Sequence, residues 1–190
     1  MTACADIAVA VLAAGQGKRF GSNKLMADLD GQPLGLHIAQ TLKPMGFGRR
    51  FAICGKDAAI SEHFSSADFA VIGNNRPEAG QAYSLHLAIH AAEATVTQAL
   101  LVTLADMPFV STKHIAALVA AYDGDIIAST DGKTKMPPAI FPRDSWSMLL
   151  STTGDAGARA MLKNAVLITA PSDELRDIDM AADLPNPLIR

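Results

Sequence analysis

Residues 7–25, IAVAVLAAGQGKRFGSNKL, pass without a break from an apolar run into a glycine-spaced, basic loop. The run at 7–12 is short, β-branched and free of charge, which predicts a strand buried on both faces of a parallel sheet. Gly15, Gly17 and Gly21 allow left-handed backbone and close approach of a ligand, so successive N–H groups can converge on an anion. Lys18, Arg19 and Lys24 add positive charge. The spacing is not a dinucleotide fingerprint, which needs glycine where Phe20 stands. Nor is it a Walker A loop, which needs glycine-lysine five residues after its first glycine.

The rest of the chain alternates. A turn at Asp30-Gly31 precedes a helix expected from Pro33 to just before Pro44, with proline well placed at its start. Strands are expected at 50–54 and 69–72 with a helix at 57–64 between them. Alternation with short connections predicts a mostly parallel, doubly wound sheet with helices on both faces, a three-layer α/β/α domain spanning 1–190. Ligands of such sheets bind beyond the carboxyl ends of the strands. That puts weight on the polar loop 73–85, GNNRPEAGQAYSL, and on the residues just past the most apolar strand, 99–105.

That strand ends on Asp106-Met107-Pro108. A carboxylate there is costly to bury without a partner, and a bound cation is a common one. Magnesium suits it, because this hard ion uses one or two carboxylates, several waters and substrate phosphates. The competing role, capping the helix that begins near Ser111, can be filled by Ser111 itself. Further on, 125–129 and 138–141 read as a hairpin joined by the polar turn TDGKTKM. A last strand at 166–169 precedes LRDIDMAADLP, where Asp177, Asp179 and Asp183 cluster.

Composition excludes several classes. A net charge of −3 argues against a nucleic-acid or anionic-membrane partner. No apolar run reaches the roughly 18 residues that cross a bilayer, and the N-terminus lacks the basic region of a secretion signal, so a cytoplasmic location is expected. Cys4 and Cys54 stand apart without metal-ligand spacing and read as reduced thiols. His86 and His90 are four apart, but Leu87 replaces the glutamate of a metalloprotease motif.

The motif LAAGxGxRFGxxKL closely resembles the signature of the molybdenum-cofactor guanylyl- and cytidylyltransferases, the MobA/MocA-like nucleotidyltransferases. GQPLG, GQAYSL, LADMPFV, GDAGAR and DIDMAADL are similar to further elements of that family, in the same order. GQPLG differs in its last residue, and Met136-Pro137-Pro138 departs from the family's glycine in the segment that faces the acceptor. The resemblance implies a Rossmann-like sheet of the nucleotide-diphospho-sugar transferase type. It implies that Leu12, Ala13, Ala14, Gly15 and Gly17 wrap a nucleoside triphosphate, and that Arg19 and Lys24 meet its phosphates. Gly80 and Ser84 become candidates for nucleotide recognition, Ser84 having as its alternative a hydrogen bond within its own helix. Asp106 would hold Mg2+, with Asp177 as second ligand and Asp179 as the alternative.

The activity implied is Mg-dependent transfer of CMP from CTP to the phosphate of molybdopterin, with release of pyrophosphate. The LAAG form resembles the cytidylyltransferases, whereas LAGG is usual for the enzymes that use GTP. A guanylyltransferase and a transferase acting on another sugar- or alcohol-phosphate are the alternatives. A carrier handing cofactor to a molybdoenzyme or its maturation factor is a third reading, disfavoured because a carrier has no need of Lys24 and Asp106 together.

Overall fold

A computed structural model describes residues 3–15, 20, 23–154 and 159–185. β1 (Ile7–Ala13) is buried along its whole length at the middle of a seven-stranded sheet. On one side it pairs in parallel with β4 (Arg49–Cys54), which pairs in parallel with β5 (Ala70–Gly73). On the other side lies β6 (Ala99–Leu104), also parallel. Beyond β6 come β8 (Lys135–Pro142), β7 (Ile127–Thr130) and β9 (Val166–Thr169), and only the pairings made by β8 are antiparallel.

Alternate residues of β1 feed two cores. Ile7, Val9 and Val11 pack with Ile38 of α1 (His37–Leu42), Ile60 and Phe64 of α2 (Ala58–Ser66) and Leu118 of α4 (Thr112–Ala121). Ala8, Ala10 and Leu12 pack with Leu85 and Ile89 of α3 (Gln81–Glu93) and with Trp146 and Leu149 of α5 (Trp146–Leu150). That is the three-layer α/β/α arrangement expected from an uninterrupted apolar strand, and fully burying one such side chain contributes about 1.5–3 kcal/mol.

Asp30 and Gly31 both have positive φ, the mark of a two-residue I′ turn, and they join the small ribbon β2 (Asp28–Leu29) and β3 (Gln32–Pro33). The helix expected from Pro33 begins as a 3-10 turn, Leu34–Leu36, and turns α-helical only at His37. Gly35 explains the tight start, since a Cβ there would lie 3.1 Å from Ile60 and 3.2 Å from Leu25. Expected strand and helix positions elsewhere hold within a few residues, except that β8 starts at Lys135 rather than at Pro138.

The chain runs from β1 outward through β4 and β5, then returns to the opposite side of β1 as β6. The order of strands therefore reverses between β1 and β6, and the crevice at their carboxyl ends is where ligands of such sheets bind. Among the described residues no helix is long and apolar enough to cross a membrane.

Candidate active site

The crevice is built by backbone before any side chain enters it. Ala105 N donates to Leu12 O at 3.0 Å, which continues the β1–β6 pairing past the strand ends and sets Asp106 opposite the start of the glycine loop. Ile178 N donates to Asp106 O at 2.9 Å, pinning the segment 177–179 to the same point. Ile178 itself is fully buried. Its neighbours Asp177 and Asp179 are two apart, the spacing that sends side chains of an extended segment to one side.

The loop re-enters at Asn23, whose side-chain oxygen accepts from Leu25 N at 3.1 Å and caps the 3-10 turn Lys24–Met26. Lys24 then points inward with only 8% of its side chain exposed. Its Nζ donates to Asp106 Oδ2 at 2.7 Å and to Asp179 Oδ1 at 3.0 Å. Burial alone would lower the ammonium's pKa, but Asp106 and Asp179 outweigh it and the net shift is upward. Burial pushes the Asp106 carboxyl upward, Lys24 opposes, the charge of Asp177 adds to the rise, and the net shift is upward.

Asp106 Oδ1 is buried and has no hydrogen-bond partner among the described residues. A buried carboxylate oxygen left unpaired calls for a ligand. Together with the nearby acids it fits a hard divalent cation, which takes oxygen donors and keeps waters and phosphate oxygens in its shell. Among the described residues no three His, Cys, Asp or Glu side chains form a metal cage.

Beside Asp106 opens a cavity of about 550 Å³, with Leu12, Leu85 and Leu104 on its apolar side and Asp177, Arg159 and Arg176 among its charged groups. Arg176 is held by the ring of Phe109, 4.3 Å from guanidinium to centroid, and donates to Asp183 O at 3.4 Å. Sequence reasoning missed Arg176, and the signal was a cation directly before the first acid of DID. The start of β8 contributes Lys135, Met136 and Pro137 to the same wall.

The remaining expected residues separate into groups. Leu12 lines the cavity, while Ala13 and Ala14 are buried at the root of the loop. Gly15 is exposed, its φ is not left-handed, and a Cβ there would meet nothing within 4 Å. Gly80 has φ +84° and forms the N-terminal cap of α3, a conformation that favours glycine. Ser84 is 4% exposed and accepts from Asn74 Nδ2 at 2.9 Å. Asn74 also accepts from Arg76 N and donates its own N–H to Cys54 O at 2.7 Å, so this pair shapes loop 74–80 from within. Gln81 and Leu85, its neighbours on α3, face the cavity instead. Gly17, Arg19 and Gly21, with Lys18 and Asp155, lie outside the described residues.

The family model of the MobA-like NTP transferase domain matches residues 9–171. The purine catabolism protein PucB of Bacillus subtilis is 29% identical over 182 residues, covering 88% of this chain and 89% of PucB. A nucleotidyl transferase from Methanothermobacter thermautotroptrophicus, Mth528, superposes with a TM-score of 0.80 at 21% identity, covering 93% of both chains. Rv0371C of Mycobacterium tuberculosis in complex with manganese gives a TM-score of 0.67 at 18% identity, over 87% of this chain and 89% of that one.

Proposed function

Because this chain belongs to the MobA-like NTP transferase domain family, whose members are nucleotidyltransferases, we propose that it transfers CMP from CTP to the phosphate of molybdopterin. The observation that carries the reading is Lys24, whose buried ammonium joins Asp106 and Asp179 at the exit of the glycine loop and beside a cavity large enough for a second substrate.

The reaction is attack of an acceptor phosphate oxygen on the α-phosphorus, with pyrophosphate leaving. It needs no protein nucleophile, because alignment and neutralisation of charge supply most of the acceleration. Leu12 to Gly15, Gly17 and the loop amides embrace the nucleotide, and Lys24 with Arg19 holds its β- and γ-phosphates. Gly80 fixes the approach of α3, and Ser84 acts from behind through Asn74. Arg159 and Arg176 at the cavity rim suit the acceptor's phosphate, and the apolar side, Leu12 and Leu85, suits its uncharged body. Asp106 and Asp177 are the carboxylates that would hold Mg2+. Bound there, the ion would polarise the α-phosphate and offset charge on the departing oxygens. Support for a divalent metal comes from the orphaned Asp106 oxygen and from the manganese bound to a protein of the same fold.

CTP is preferred over GTP on the strength of Ala14, whose Cβ narrows the loop and limits its backbone. Incubation of the protein with each triphosphate, Mg2+ and molybdopterin, followed by mass spectrometry, decides the matter. A cytidylylated product is expected. A guanylylated one overturns the base assignment, and absence of product with either triphosphate overturns the acceptor.

A further inference from the structure

Lys24 sits on Asp106, one of the two carboxylates proposed to receive a metal. Its ammonium already spans Asp106 and Asp179, and it does so with 8% of the side chain exposed. A divalent ion approaching the unpaired Oδ1 of Asp106 meets a positive charge 2.7 Å from the other oxygen of the same carboxylate. Two cations on one part-buried carboxylate repel, because its inner oxygen is shut off from the solvent that would screen the field. Asp106, common to both sets, can be neutralised by the lysine or by a metal, and the two compete.

The backbone fixes the root of the lysine. Asn23 caps the turn that carries Lys24 and is itself tied to Asp57, so the Cα of Lys24 is anchored while its four-carbon stem can swing. An ammonium on a flexible stem is a mobile point charge. It leaves two carboxylates only for an anion of comparable charge within reach. The pyrophosphate oxygens of a triphosphate bound beside Lys24 would meet that condition, and a monophosphate, which lacks them, would not.

We infer that Lys24 is an exchangeable internal counter-ion, which lets the Asp106 site take its divalent cation only together with a triphosphate. The inference rests on the proposed nucleotidyltransferase reading and goes beyond it. In the protein alone the acids are satisfied by Lys24. When triphosphate arrives, Lys24 transfers to the phosphates and leaves Asp106 to the metal that the nucleotide brings with it. Metal without nucleotide therefore finds the site occupied by charge, and idle metal does not accumulate there.

The test uses Mn2+ alone, with no nucleotide, titrated into wild-type protein and into Lys24→Gln, which keeps a polar chain of similar reach without the charge. Free Mn2+ is read by electron paramagnetic resonance, and circular dichroism checks that the variant is folded. Lys24→Gln should bind Mn2+ at least about tenfold more tightly than wild type, as expected when a competing charge is removed from a buried site. Equal or weaker binding by the folded variant overturns the inference. A second arm needs only wild type. Measured against a protein-free control that accounts for Mn2+ chelated by the nucleotide itself, protein-bound Mn2+ should rise with non-hydrolysable α,β-methylene analogues of CTP or GTP and stay low with CMP or GMP. Tight Mn2+ binding by wild type with no nucleotide overturns the inference as well. Product formation in the transfer assay is scored separately, so a failed metal result beside intact transfer removes the counter-ion role and leaves the enzyme reading standing.

Discussion

Asn23 and Asp57 meet through a hydrogen bond of 2.5 Å, from the Asn23 side-chain amide to Asp57 Oδ2. The other oxygen of Asp57 accepts from Ala59 N and Ile60 N and caps α2. One carboxylate thus fixes both the start of a helix and the return of the glycine loop. The Asn23 bond is the main reason its pKa lies low, with the helix amides adding to it. Asn23→Ala cuts the loop tie and the cap on the Lys24 turn, and leaves the Asp57 cap on α2. Triphosphate affinity should fall about thirtyfold, the worth of two hydrogen bonds near 1 kcal/mol each, while melting shifts by only a few degrees. Asp57→Ser, which keeps a cap and loses the tie alone, should cost about fivefold. Calorimetric titration showing wild-type affinity in both variants would remove the positioning role.

Asp106→Asn keeps nearly the same shape and loses the charge. The variant should fold, since Asp179 still faces Lys24, but product formation should fall by about 10²-fold or more, as when a group acting on transition-state charge is removed. Initial rates at saturating triphosphate and metal check this, and turnover within tenfold of wild type would rule out Asp106 as the metal's anchor.

The base preference is testable at a single methyl group. Ala14→Gly should raise the use of GTP relative to CTP by about 10-fold, because a difference of one carbon in a pocket discriminates by ~1–3 kcal/mol. The measurement is competition between equal concentrations of the two triphosphates, with the product ratio read by mass. An unchanged ratio would separate specificity from Ala14 altogether.

Much of the fold is legible in the sequence, and the reasons are local. Buried parallel strands announce themselves as charge-free runs, which is why β1, β4 and β6 stand where expected. The start of β8 does not, because Pro137 and Pro138 lack the N–H that a ladder requires. The structure resolves this with a register shift: Ala128 faces Ala139, whereas Ser129 faces Met136, so both prolines fall in the gap. Ser129 Oγ fills it by donating to Pro138 O at 2.7 Å. The choice between Asp177 and Asp179 is not legible either, since residues two apart in an extended segment share a side. Only the packing of Ile178 and the reach of Lys24 distinguish them: Asp179 grips the lysine, and Asp177 lines the cavity.

The same gap makes His114 a pH-sensitive support. Ser129 Oγ spends its hydrogen on Pro138, so it accepts from His114 Nε2, 2.8 Å away. Burial holds the imidazole below its ordinary range, with Glu174 offsetting part of the effect. A group whose folded pKa is depressed binds protons more readily when unfolded. Stability is therefore complete above the unfolded value of about 6.5 and declines as pH falls below it. The urea midpoint of wild type should drop between pH 7.5 and 5.5, and His114→Gln should drop less. Parallel declines would assign the loss to other groups.

The reversed direction of β8 has one more consequence. Every other strand of the large sheet reaches the crevice at its end, but β8 reaches it at its beginning, so the turn 131–134 and residues 135–137 form a tongue at the rim of the cavity. In the ladder of strands the tongue pairs with β7 and, among the described residues, not with β1. On the proposed reading, insertions or replacements there re-tailor the seat of the second substrate while the triphosphate half stays as it is, and a lineage built on this scaffold changes what it modifies without relearning how to activate it.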